Sequence, residues 1–382
     1  MARMTSAYAK KNRAGKSTRI QQVVVALERS YGARIMMACA LIVLTALTLA
    51  ALPSHAQTAD PINGGITYIG TTKCAAGGVG NSTCYSLSAQ CSGIDGSGVP
   101  AVALTLKVTN PGSSKGAIIF IETGGATTAY DQSFAYGELV VNSAVQAGFT
   151  AVQPYFAGNN GWLQGPAPNG PRAVACRYAA LANWVYSGTS PLIHQGGTAM
   201  CATGVSAGSS VVAYSLSHFG LGSGSTRIFD MVEVASGPMF GRLDHGCICN
   251  QPPYQTTTGQ GPLGECYLSA GSLVDSTYPG AYCSAGMKNH STTYASLLYH
   301  DSVVSDDSPI LNYTAVVRVV FGAQNDLGGA IPQGLDWASL ITSPVTVLTV
   351  GDAAHLVPDT FDGAMQIAND LNTYCALQAP RK

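Results

Sequence analysis

Residues 198–220 read TAMCATGVSAGSSVVAYSLSHFG, and the change of pattern at Ser206 decides what kind of fold to expect. Thr198–Thr203 is a short run of small and apolar residues, suited to a strand buried on both faces. Beyond the serine, Val211, Val212, Leu216 and Phe219 recur at helical spacing until Gly220 stops the helix. Gly204-Val205-Ser206-Ala207-Gly208 therefore fits G-x-S-x-G at a point where strand turns into helix. With 44 glycines in 382 residues such a pentapeptide arises easily by chance, and Gly112-Ser113-Ser114-Lys115-Gly116 matches as well. That second copy follows Pro111, leads into a strand and has no helix behind it, so it reads as a turn.

The same alternation extends in both directions. Ala101–Val108 alternates like an edge strand, preceded from Gln57 by a Gly/Ser/Thr/Cys-rich segment with one strand at Ile66–Ile69. Ala117–Ile121, Thr150–Gln153, Phe229–Ser236, Val316–Phe321 and Pro344–Val350 read as further strands. Helices are expected over Tyr136–Ala147, through Val174, Tyr178, Leu181 and Val185, and through Phe361, Ala364, Ala368 and Leu371. Strands joined by helices predict an α/β fold: a mostly parallel central sheet with helices on both faces. In such sheets ligands bind beyond the carboxyl ends of the strands. Residues 237–314 interrupt the pattern with a long connection rich in Gly, Pro, Tyr and Cys.

The first 34 residues carry eight Lys/Arg against the single acid Glu28, and Ile35–Leu52 is almost wholly apolar. Ser54-His55-Ala56 then offers small residues to a signal peptidase. Residues 1–56 are read as a signal peptide and 57–382 as one secreted domain. The apolar run also has the length of a bilayer span, so an uncleaved anchor is the alternative and the only membrane link expected. Removing this leader takes eight of the 19 basic side chains and one of the 20 acidic ones. A net-acidic chain without clustered Lys/Arg excludes nucleic acid as a partner. Ten of the 11 cysteines lie beyond the leader, an even number that reads as disulfides outside the cell. Local pairing is expected within Cys74/Cys84/Cys91 and within Cys247/Cys249/Cys266/Cys283. A zinc site at His245-Gly-Cys247-Ile-Cys249 is the rival to the second group, and the disulfide reading, with no metal, is preferred.

The elbow at Ser206 resembles that of the α/β-hydrolase superfamily, closest to esterases and lipases, whose triad runs in the order Ser, acid, His. The resemblance covers about Ala117 to Cys375. It implies an acid after the second strand beyond the elbow, where Gly322-Ala-Gln-Asn-Asp326 stands, and a histidine after the last strand, where Gly351-Asp-Ala-Ala-His355 stands. Ser206, Asp326 and His355 are thus the candidate nucleophile, acid and base. Asp352 is the alternative acid. His300 beside Asp301 and His245 beside Asp244 are rival histidines, but both lie in the long insertion. For the oxyanion the resemblance implies the backbone N–H of Ala207 and one from Gly124 or Gly125 in Glu122-Thr-Gly-Gly, with Thr123 where the family commonly has His.

The chemistry follows from these residue types. A serine hydroxyl is a weak nucleophile until a neutral imidazole takes its proton, and the imidazole needs a carboxylate to fix its tautomer. The expected reaction is ester hydrolysis through an acyl-serine, without metal or organic cofactor, on a small-molecule or polymeric ester. A peptidase with the same triad and a non-catalytic binding protein on this fold are the alternatives. Residues 237–314 are expected to form a disulfide-braced cap whose Tyr254, Tyr267, Tyr278, Tyr282, Tyr294 and Tyr299 line a pocket or pack against the disulfides. The sequence sets no oligomeric state.

Overall fold

A continuous apolar strand is the centre of the molecule. In β4 (Gly116–Ile121) every residue is buried, and its side chains divide by alternation: Ala117, Ile119 and Ile121 enter one core layer, Ile118 and Phe120 the other. The computed structural model describes residues 59–92, 99–124, 127–165, 170–187, 199–225, 227–248, 271–305, 310–324 and 329–377. Around β4 stand β1 (Gly64–Thr72), β2 (Ser82–Cys91), β3 (Val99–Thr109), β5 (Thr150–Phe156), β6 (Ala199–Val205), β7 (Met231–Ala235), β8 (Val316–Gly322) and β9 (Val345–Val350). Their order is β1-β2-β3-β5-β4-β6-β7-β8-β9. The pairs from β5 to β9 are parallel, and β1, β2, β3 and β5 pair antiparallel.

Helices cover both faces, as parallel strands require. One layer holds Gly170–Tyr186, Ala207–Ser217 and Ala330–Leu340; the other holds Gly137–Gln146 and Phe361–Asp370. From β4 the chain passes to β5 on one side and then to β6 on the other, so the order reverses at β4. Connections leaving the carboxyl ends of β4 and β6 turn to opposite faces and leave a crevice between them, where an α/β sheet places its ligand.

Two strand expectations are corrected. Ala101–Val108 is not an edge strand but lies in β3, between β2 and β5, because the leading segment supplies two strands rather than one. Lys107 in β3 is buried, and its Nζ is 2.7 Å from Asp131 Oδ2. The true edge, β1, is mostly exposed.

Four disulfides join described residues: Cys74–Cys84, Cys91–Cys176, Cys201–Cys375 and Cys247–Cys283. The first and last are local, as expected. Cys91 instead reaches the Gly170–Tyr186 helix, 85 residues on, and Cys201 ties β6 to the end of the chain across 174 residues. Closing loops that long restricts the unfolded chain by roughly 4 to 5 kcal/mol each on the chain-entropy account. Cys247 is held by Cys283, so it is not a zinc ligand; Cys249 and Cys266 lie outside the described residues. No described helix is long and apolar enough to cross a membrane, and the leader, residues 1–56, lies outside the description.

The insertion packs into the main core. Phe240, Leu243, Val274, Leu298 and Val303 join the layer built on Gly170–Tyr186. Tyr278 donates its hydroxyl to Asp301 Oδ2 at 2.8 Å, and Tyr282 stacks on Tyr294 at 4.1 Å. Arg242 lies over the Tyr299 ring, while Tyr254 and Tyr267 are outside the described residues. Tyr282, Tyr294 and Tyr299 thus pack within the insertion, while the Tyr278 ring also lies against Gly170.

Near the expected cleavage point, Asp60 fastens the chain's start. Its carboxylate accepts from Arg172 Nε and Nη2, both at 2.9 Å, and lies 3.5 Å from His218 Nδ1. Burial pushes this carboxyl up, but the His218 and Arg172 contacts outweigh it and hold the group at about 2 against an ordinary 3.8. Since the folded value is the lower one, the anchor contributes fully above 3.8 and is lost as pH falls toward about 2. Thermal melts should show Asp60→Asn less stable than wild type at pH 7, with the gap closing by about pH 2. A gap independent of pH would show that the ion pair contributes nothing.

Candidate active site

Ser206 follows β6 in a backbone conformation that an L-residue adopts only under constraint, φ 57° and ψ −124°. Its N–H donates to Ala235 O at the end of β7 (3.0 Å), and its carbonyl accepts from Ser209 N–H (3.0 Å) and the Ser209 hydroxyl. The flanking glycines are steric necessities. A Cβ at Gly208 would overlap the Glu122 carbonyl oxygen, and one at Gly204 would overlap Gly208 O and Ile121 Cγ2. Strand and helix thereby meet closely enough to present the Ser206 side chain at the crevice, with the residue 8 % exposed.

His355 Nε2 stands 2.9 Å from Ser206 Oγ. The loop after β9 that carries it is fastened to the loop after β8: Ala323 N–H donates to Val350 O (2.9 Å), Gln324 N–H to Ala353 O (2.8 Å), and Gln324 Nε2 to Gly351 O (2.9 Å). Asp326, two residues beyond Gln324, lies outside the described residues. The alternative acid is exposed and otherwise engaged, since Asp352 Oδ1 accepts from Thr360 Oγ1 at 3.2 Å. The rival histidines belong to other polar groups: His300 Nδ1 is 2.7 Å from Asp301 Oδ1, and His245 Nδ1 is 3.3 Å from Asp336 Oδ2.

Ala207 opens the helix, and the first N–H groups of a helix have no intrahelical acceptor. Gly124 lies directly against it: a Cβ there would stand 2.5 Å from Ala207 Cβ and 3.0 Å from Leu163 Cδ1. The structure thus brings the backbones of Gly124 and Ala207 together. Gly125 is outside the described residues.

One neighbour of the serine had no sequence signal. Met239 Sδ lies 2.9 Å from Ser206 Oγ. Met239 is held by Ser210, whose Oγ accepts from Met239 N–H (2.9 Å) and Phe240 N–H (3.3 Å). Only the chain's path back over the elbow after Gly237 creates this contact; neither residue type nor spacing announces it.

No protein-family model and no curated protein matches this sequence. Among solved structures the chain is similar to brefeldin A esterase, a bacterial homologue of human hormone-sensitive lipase, with 15% identity, a TM-score of 0.46, and 85% of this chain and 78% of that one covered. It is also similar to carboxyl esterase 2 from the mycorrhizal fungus Tuber melanosporum, with 13% identity, a TM-score of 0.48, and 81% and 91% covered. A hyperthermophilic esterase from the archaeon Pyrobaculum calidifontis gives 13% identity, a TM-score of 0.44, and 78% and 85% covered. Likeness at these levels carries nothing about the reaction. By its own sheet order, reversing at β4 with a strand-to-helix elbow at the crevice, this protein has an α/β-hydrolase fold.

Proposed function

We propose that the protein is an exported serine hydrolase that cleaves an ester through an acyl-serine intermediate. The observation that carries this reading is the 2.9 Å approach of His355 Nε2 to the hydroxyl of a serine held at a constrained elbow. Neutral imidazole accepts the Ser206 proton as Oγ bonds to the ester carbonyl carbon. The carbonyl oxygen, now an oxyanion, takes hydrogen bonds from Ala207 N–H and from Gly124 or Gly125. Collapse of the adduct breaks the bond to the alkoxy oxygen, which leaves with the proton from His355, and water repeats the sequence to release the acid. Asp326 is assigned to hold the imidazole tautomer and stabilise the imidazolium. Export is supported by the four disulfides among the described residues, which fit an oxidising compartment, and by the basic-apolar leader.

Fluorophosphonate labelling tests the core of this reading, because only an activated serine reacts. One equivalent should attach to wild type, with the adduct at Ser206, and none to Ser206→Ala. An unlabelled wild type would point to a binding protein on this fold, and labelling with turnover of peptides but not esters would point to a peptidase.

A further inference from the structure

We infer that Met239 closes the acyl side of the site and makes this a short-acyl esterase; the inference rests on the hydrolase reading above. A carbonyl carbon bonded to Ser206 Oγ carries three other groups. The oxyanion must face the backbone N–H of Ala207 and that of Gly124 or Gly125, and the leaving oxygen must face His355 Nε2 to receive its proton. The acyl chain takes the remaining direction from Oγ, and the side chain we assign to it is Met239, whose Sδ lies 2.9 Å from the same oxygen.

Met239 belongs to the same buried core layer as Phe240, Trp162 and Tyr214. Met239 is 3 % exposed and its backbone N–H is fixed on Ser210 Oγ. Its neighbour Phe240 is fully buried with its ring centroid 6.2 Å from Trp162, and Trp162 in turn packs on Tyr214 at 6.5 Å. A methionine side chain pivots enough to admit one or two carbons, but a long chain would have to displace an aromatic cluster packed at core density. The site therefore suits acetyl to propionyl esters and rejects medium-chain ones.

The test compares kcat/KM for p-nitrophenyl acetate and p-nitrophenyl octanoate, which share a leaving group so that their ratio reports the acyl side alone. Wild type should favour acetate. Met239→Ala should shift the ratio toward octanoate by about tenfold or more, the scale on which a hydrophobic pocket discriminates by methylene groups. Met239→Val, which removes less volume, should shift it the same way by less, and labelling of Ser206 by a methyl fluorophosphonate reports that the elbow has folded in each variant. A wild type that cleaves octanoate as readily as acetate, or labelled and active variants with an unmoved ratio, would overturn the acyl-wall inference and leave the hydrolase reading standing. A wild type that cleaves neither ester and takes no label would overturn both.

Discussion

Ser206→Ala is expected to lower kcat by on the order of 10⁶, as loss of a triad serine does, while Ser114→Ala leaves turnover intact. Both serines sit in G-x-S-x-G, so the pair isolates structural context from motif. The strands that carry them are parallel neighbours, with Gly116 opposite Ala199 and Ile121 opposite Gly204. Ser114 precedes β4 whereas Ser206 follows β6, so the two stand at opposite ends of the sheet, separated by a strand's length of about 20 Å. Ser114 Oγ is also consumed locally: it donates to Gly116 O (2.6 Å) and accepts from Gly116 N–H (3.2 Å) and Thr150 Oγ1 (3.0 Å). It closes a turn. Initial rates on any ester that wild type cleaves would check the contrast, and equal rates for wild type and Ser206→Ala would remove the mechanism.

The central sheet was legible because burial on both faces leaves an apolar signal, which β4 carries in full and β6 interrupts at Thr203. Signals failed where a polar residue is buried with a partner distant in sequence. Lys107 in β3 pairs with Asp131. Phe229–Ser236 reads as a strand all the same, although Glu233 sits inside the apolar run of β7, beside Thr203 of β6 and Arg318 of β8. Burial, and after it the nearby Asp370 carboxylate, pushes Glu233 well up. The Ala330–Leu340 helix escaped notice because it contains Pro332 and Gly334. Proline is tolerated in a first turn, and Gly334 lies where a Cβ would press on the Phe321 ring at 2.6 Å. The Cys91–Cys176 link had no local spacing to announce it. At the site, the strand-to-helix context marked Ser206, and the resemblance to the α/β-hydrolase superfamily, which implies a histidine after the last strand, marked His355. The contact of Met239 followed from the course of one turn, which no periodicity records.

The acid is the remaining test of that strand order. Asp326→Asn should lower kcat by about 10⁴, the scale of losing the carboxylate that sets the imidazole tautomer while the geometry persists, and His355→Gln should abolish turnover. Asp352→Asn should leave kcat close to wild type. Its carboxylate is exposed and accepts from Thr360 Oγ1 at 3.2 Å. Thr360 itself caps the Phe361–Asp370 helix by accepting from Gly363 N–H at 3.2 Å. Removing the Asp352 charge should therefore be felt in the stability of that helix, through a weakened interaction with its positive end. Steady-state kinetics and thermal melts on the two aspartate variants separate the roles: a large loss of kcat without change in melting for Asp326→Asn, and the reverse, at small amplitude, for Asp352→Asn. If Asp352→Asn proves the more damaging to kcat, the acid comes from the histidine's own loop, and the assignment by strand order is wrong at that position.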